Sequence, residues 1–237
     1  MTALLELKGL HAGYGGVAVV RDLSLTVDEG QVVALLGPNG AGKTTTLFTA
    51  AGLLAPVDGD ALVLGRSVRG RRPQYIARDG MALVPEDRSL FFQLTVKENL
   101  RLGAKKGGAV DPVFEYFPKL EELLDRRAGL LSGGEQQMLA VGRALLTEPK
   151  LLMVDEMSLG LAPVIVQALL PVLRKVADER GCGILLVEQH VQLALEIADH
   201  AYVLAHGDLV LESPAAALRH DRSILESSYL GDRVLPS

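Results

Sequence analysis

The stretch Gly37-Pro38-Asn39-Gly40-Ala41-Gly42-Lys43-Thr44-Thr45 constrains this chain more than any other part of it. It follows the apolar run Val32–Leu36, which reads as a buried parallel strand, and precedes residues 46–51, which read as the first turns of a helix. The spacing Gly37, four residues, Gly42-Lys43-Thr44 in a strand-loop-helix setting is that of a phosphate-binding loop. Glycines let backbone amides turn inward and cradle phosphate oxygens. The helix that begins here adds its positive end. In such a loop Lys43 reaches the β- and γ-phosphates, and the Thr44 hydroxyl helps to hold magnesium. A Gly-rich turn without a ligand has no need of all these fixed positions.

With 237 residues, 49% of them hydrophobic, the chain can build one large domain or a domain with a lobe, and a sizeable core rather than disorder is expected. The net charge of -5 argues against a nucleic-acid partner. Cys182 is the only cysteine, so no intrachain disulfide forms, and a small core or turn role is expected for it. No signal-peptide pattern opens the chain. No apolar run approaches the ~18 residues of a membrane span. Any membrane role is therefore expected from the surface, through a partner.

Residues 4–8 alternate apolar and polar, as a half-buried strand does, and a turn carrying Tyr14 is expected over residues 11–16. Strand character resumes over 17–27, so an antiparallel sheet precedes the phosphate-loop strand. Residues 55–60 read as a turn, 61–64 as a short strand, and the basic run 66–72 as a solvated loop. Met81–Val84 reads as a core strand halted by Pro85. Residues 95–146 read as largely helical. Thr95 and Glu98 form a capping box, Lys105-Lys106-Gly107-Gly108 a break, Asp111-Pro112 a second helix start, and Leu131 to Glu135 a third. Strands at 151–156 and 183–187, helices at 163–179 and 191–198, and strands at 201–204 and 209–211 complete the core. Short helical patterns follow at 215–218 and 224–229.

Asp155-Glu156 closes an apolar strand, and an open α/β sheet places its ligands at such ends. Asp155 suits magnesium, held through water; Glu156 suits taking a proton from, or orienting, an attacking water. A carboxylate pair alone is also an ordinary strand-end turn, and the phosphate loop upstream favours the catalytic reading.

The string Leu131-Ser132-Gly133-Gly134-Glu135-Gln136-Gln137, between a phosphate loop and an acidic strand, is far more specific. With it the chain resembles the ATP-binding subunits of ABC transporters over almost its whole length. Ser132 and the amides of Gly133 and Gly134 sit at a helix start, which suits an anion. The resemblance implies that they meet the γ-phosphate of ATP bound by an opposite subunit, so that two chains sandwich two Mg2+-ATP. It places Tyr14 where an aromatic stacks on adenine, a core tyrosine being the alternative, and His190 where a switch histidine contacts the γ-phosphate. Ser158-Leu159-Gly160 matches the segment that crosses to the other subunit. The other histidines, His11, His200, His206 and His220, have no such match and read as surface or packing residues. The implied fold is α/β: a P-loop NTPase core with a mainly parallel sheet, an N-terminal antiparallel β subdomain and an inserted α-helical subdomain. The core would span 1–86 and 148–237, and the helical part 87–147.

Two positions depart from the family. Glu86 stands where glutamine usually touches magnesium and water. A carboxylate can ligate magnesium too, but it adds negative charge near phosphate. Met157 replaces a common proline, which predicts a less fixed backbone. The segments Val84 to Arg88, Leu94 to Leu100, Glu135 to Ala140, Ser158 to Pro163 and Tyr229-Leu230-Gly231 resemble one of the two ATPases of branched-chain amino-acid importers. Urea and amide importers share much of this pattern. The implied partners are membrane permease subunits, a second ATP-binding subunit (a different chain, or a second copy) and, indirectly, a periplasmic or extracellular solute-binding protein. The implied place is the cytoplasmic face of the cell membrane. Phe91, Phe92 and Leu94 are expected either to line a groove for a permease helix or to pack inside the lobe. A soluble ABC ATPase acting on DNA or ribosomes would usually carry tandem cassettes or long arms. A small-molecule kinase has no use for the Leu131 to Gln137 string.

Overall fold

Two long strands open the chain in the computed structural model, which describes residues 3–105 and 107–220. β1 (Ala3–Tyr14) and β2 (Val17–Asp28) pair antiparallel across the Gly15-Gly16 turn, where both glycines have positive φ. Tyr14 thus ends a strand; the turn expected from residue 11 onward is only Gly15-Gly16. β3 (Val32–Leu36) and α1 (Lys43–Ala50) follow, then β4 (Asp58–Val63) and the short β5 (Arg66–Ser67). β4 starts inside the turn expected over 55–60, because it pairs with β1 as far as Asp58. One sheet has the order β2-β1-β4-β5 and is antiparallel throughout.

α2 (Pro73–Asp79) and β6 (Met81–Val84) come next. α2 is absent from the sequence expectation: Ile76 is its only buried residue, so it shows no apolar period. α3 (Val96–Gly103) begins on the expected Thr95/Glu98 capping box, and α4 (Gly133–Leu145) on Ser132. Between them the expected helix is missing. Only short 3-10 turns occur, at Asp111–Val113, Pro118–Leu123 and Ala128–Leu130. Phe117, forced out of helical geometry by Pro118, lies at φ -134° and prevents continuation.

β7 (Leu151–Asp155), α5 (Pro163–Arg180), β8 (Gly183–Glu188), α6 (Val191–Ile197), β9 (His200–Ala205), β10 (Asp208–Pro214) and α7 (Ala215–His220) finish the described fold. The second sheet has the order β10-β9-β3-β8-β7-β6, parallel except for the β10–β9 pair. The expected helix at 224–229, the Tyr229-Leu230-Gly231 segment and Lys106 lie outside the described residues.

Alternation along the central strands builds the layers. Val32, Ala34 and Leu36 of β3, Leu152 and Val154 of β7, and Ile184 and Leu186 of β8 face a core shared with α4, α5, α6 and α7. Val33 and Leu35, Leu151 and Met153, and Leu185 and Val187 face the other core, with α1 and the antiparallel sheet. Strands covered on both faces must be apolar at every position, which is why they read as unbroken runs. Cys182 is buried as a free thiol. The parallel strands all point their C-terminal ends the same way, and the polar residues gather there.

Candidate active site

β3 ends at Leu36, and the next residue has to be glycine: a Cβ on Gly37 would lie 2.3 Å from the Leu204 carbonyl oxygen. Gly42, at φ 101°, is the N-cap of α1, and a Cβ there would meet Val20 Cγ2 at 2.3 Å. The first amides of α1 have no earlier helical carbonyl to bond. Gly42 offers no capping side chain, and no acidic residue occupies the first turn, so the helix start stays open to an anion. Asn39 and Gly40 are exposed at the tip, while Ala41, Lys43 and Thr45 are buried. Lys43 is 5% exposed. Its Nζ donates to the carbonyls of Gly37 at 2.8 Å and Pro38 at 3.1 Å. It also pairs with Glu156 Oε1 at 3.0 Å.

Asp155 ends β7 and is 1% exposed, yet both carboxylate oxygens lack a hydrogen-bond partner among the described residues. Burial pushes its carboxyl up to about 6. The Thr44 hydroxyl lies close enough to draw it down without forming a well-made hydrogen bond, Glu156 and Glu86 raise it further, and Lys43 opposes them. Thr44, Glu86 and Asp155 line one cleft of about 740 Å³. A buried carboxylate without a donor, a hydroxyl and an exposed carboxylate at the mouth form an oxygen donor set suited to a hard cation. No group of three or more His, Cys, Asp or Glu converges among the described residues. A magnesium ion there would therefore take its other ligands from phosphate and water.

Glu156 leaves the strand at φ 44°, a left-handed conformation rare for glutamate. Its N–H donates to the Val187 carbonyl at 2.9 Å, and its Oε2 accepts the Gln189 N–H at 3.2 Å. The backbone beyond it is held without the usual proline. Met157 is buried, the Ser158 N–H donates to Glu188 Oε1 at 3.0 Å, and the Ser158 hydroxyl donates to Glu188 Oε2 at 2.5 Å. Glu188 is 1% exposed, and burial pushes its carboxyl up to about 7 against the two Ser158 bonds.

Lys43, Thr44, Glu86, Asp155 and Glu156 are thus brought together. Ser132, Gly133, Gly134, Tyr14 and His190 do not line that cleft. Ser132 is exposed at the N-cap of α4, where its oxygen accepts the Glu135 N–H and Glu135 Oε2 accepts the Ser132 N–H at 2.8 Å. Gly134 lets α4 approach α5: a Cβ would lie 2.8 Å from Ile165 Cγ2. Tyr14 is 53% exposed, which excludes the core-tyrosine alternative. His190 is exposed at the start of α6.

Three features have no readable signal in the sequence, because each joins distant segments. The first is the Glu188–Ser158 pair. The second is Arg88, whose Nε donates to Gln137 Oε1 at 2.8 Å and whose Nη1 donates to Gln136 Oε1 at 3.1 Å. Arg143 adds bonds to the Arg88 and Ser89 carbonyls, so the loop after Glu86 is tied to α4. The third is a groove of about 580 Å³ lined by Leu53, Leu83, Phe91, Leu102 and Arg143 among others. Of the three residues expected near a groove, Phe91 lines it, while Phe92, exposed, and Leu94, half-buried, do not.

Residues 20–158 match the ABC transporter family model. The chain is 43% identical over 234 residues to the high-affinity branched-chain amino acid transport ATP-binding protein BraG of Pseudomonas aeruginosa, covering 96% of this chain and all of that one. It is 31% identical to the lipopolysaccharide export system ATP-binding protein LptB of Escherichia coli strain K12, covering 97% and 98% of the two chains. A solved ATP-binding subunit of an ABC transporter superposes with a TM-score of 0.82 at 31% identity, over 96% of this chain and 98% of that one.

Proposed function

The chain belongs to the ABC transporter family as an ATP-binding, ATP-hydrolysing subunit, and from that premise we propose that it drives uptake of branched-chain amino acids through membrane permease subunits. The identity of 43% to BraG, against 31% to LptB, favours amino-acid import over lipopolysaccharide export. The convergence of Lys43, Thr44, Asp155 and Glu156 at one sheet end, with Lys43 paired to Glu156 and Thr44, Glu156 and Lys43 all acting on Asp155, is the observation that carries the mechanism.

In that mechanism the loop from Gly37 to Thr45 cradles the triphosphate with its amides, and Tyr14 stacks on the adenine. Lys43 exchanges carbonyl oxygens for phosphate oxygens. Thr44, Asp155 and Glu86 would hold magnesium, which when bound neutralises charge on the β- and γ-phosphates. Glu156, 3.0 Å from Lys43, orients the attacking water and accepts its proton. His190 and, from the neighbouring subunit, Ser132, Gly133 and Gly134 close on the γ-phosphate. The second ATP-binding subunit is a different chain or another copy of this one. The groove lined by Phe91 and Leu102 takes a permease helix. Residues 87–147 then act as the helical unit that moves against the core, spanning 1–86 and 148–237. No helix among the described residues is long and apolar enough to cross a membrane. The subunit works at the cytoplasmic face, with a solute-binding protein serving the other side.

Uptake in cells lacking the chain, with leucine, isoleucine, valine and urea compared, tests the solute. Loss of leucine, isoleucine and valine uptake, restored by the wild-type chain and not by Glu156→Gln, is expected. Intact leucine uptake with lost urea uptake would overturn the assignment. Glu156→Gln should retain ATP binding and lower turnover by on the order of 10²–10⁴.

A further inference from the structure

We propose that Glu188 is a positioning residue for hydrolysis: its buried carboxyl clasps Ser158 and thereby fixes both Glu156 and the Leu159-Gly160 turn against the strand that leads to His190. The proposal rests on Glu156 acting on the attacking water.

The exits of β7 and β8 are stitched together at four points. The Glu156 N–H bonds the Val187 carbonyl, the Gln189 N–H bonds the Glu156 carboxylate, and the Ser158 N–H and hydroxyl each bond one oxygen of Glu188. The crossing segment then folds on the same frame, with Leu159 N–H to the Glu156 carbonyl at 3.1 Å and Leu161 N–H to the Ser158 carbonyl at 3.2 Å. Glu156 sits at φ 44°, so its backbone persists only while its neighbours hold it. Proline, which would restrict the chain one residue later, is replaced by Met157. Glu188 occupies a position where any aliphatic residue would bury more cheaply: it is 1% exposed on a strand whose other residues are apolar or glycine. A buried carboxyl whose two oxygens both engage one serine is explained by what that serine fixes. Both Ser158 donors point at Glu188, which suits the ionised form, while burial favours the acid; Glu156 adds repulsion and Lys43 attraction. Either form keeps a bond to the hydroxyl, as donor or acceptor. The clasp is therefore replaceable by a carboxamide of the same shape and not by a methyl group.

The consequence is geometric. A misplacement of about 1 Å at a catalytic group costs roughly 100-fold in rate. Loosening Ser158 displaces the base and the crossing turn while the phosphate loop keeps its own bonds, so turnover falls and nucleotide affinity does not.

The test uses the assembled transporter and measures kcat and KM for ATP in Glu188→Ala, Glu188→Gln, Ser158→Ala and, as reference, Glu156→Gln. Glu188→Ala and Ser158→Ala are expected to lower kcat by about 10- to 100-fold with KM for ATP nearly unchanged. Glu188→Gln should recover most of the rate. Wild-type kcat in Ser158→Ala would overturn the clasp, as would a rise in KM without loss of kcat. Equal loss in Glu188→Gln and Glu188→Ala would also overturn it. Ser158→Ala removes one hydroxyl and keeps the test valid should Glu188→Ala fail to fold. Glu156→Gln separates the two readings: if it hydrolyses ATP normally, the assignment of the base fails; if it is inactive while Ser158→Ala is normal, only the clasp fails.

Discussion

Asp155 carries a destabilising charge in the folded chain. At pH 7 its carboxylate is ionised although buried and without a well-made hydrogen bond among the described residues. A raised folded-state pKa means that the ionised form weakens the fold relative to the acid. Asp155→Asn should therefore raise the melting temperature of the metal-free chain, by an increment worth about 1–3 kcal/mol, while removing magnesium-dependent hydrolysis. Thermal melts and turnover measured on the same preparation check both halves. Glu188 acts in the same direction. Its acid form persists to about pH 7 when folded, against 4.5 when unfolded. The folded chain holds the extra proton in that window, so stability falls as pH rises through it. Glu188→Gln should flatten the fall measured by urea unfolding, and Asp155 should leave a residual slope at lower pH. Lys43, Thr44, Asp155 and Glu156 were legible because each belongs to a short contiguous pattern. The bond between Ser158 and Glu188 was not, since nothing local ties either residue to the other.

Ser132 has a structural task beside the one proposed for it. Its hydroxyl donates to Glu135 and accepts the Glu135 N–H, so the residue expected to meet phosphate also caps α4. Glu135→Ala should destabilise the chain by about 0.5–2 kcal/mol, read as a lowered melting temperature, whereas Glu135→Gln keeps the reciprocal bonds and should melt close to wild type. The bounds of β3 and β6 were legible because unbroken apolar runs stop at Gly37 and Pro85. α2 was not, with one buried side chain and no period. The stretch between α3 and α4 misled for another reason: helix-favouring residues there are interrupted by Pro112, Pro118 and Gly129, and tertiary contacts settle them as 3-10 turns.

On the whole molecule, the proposed nucleotide machinery is assigned to two places, the phosphate-loop cleft and the start of α4. The cleft holding Thr44, Glu86 and Asp155 is not lined by Ser132, Gly133 or Gly134. Arg88 ties the loop after Glu86 to α4, so a change at the proposed magnesium site can reach the helix proposed to serve a neighbouring subunit. The groove proposed to take a permease helix is separate again: Phe91→Asp in this 580 Å³ groove should reduce recovery of the transporter complex in co-purification and leave ATP affinity unchanged. The measurement that bears most directly on a nucleotide pocket shared between chains is ATP turnover per chain, compared between a mass-verified monomer and the assembled transporter, each with and without Ser132→Glu. A shared pocket predicts negligible turnover by the monomer and loss of turnover in the assembled Ser132→Glu variant. A monomer that hydrolyses ATP at the assembled rate, indifferent to Ser132→Glu, would contradict it.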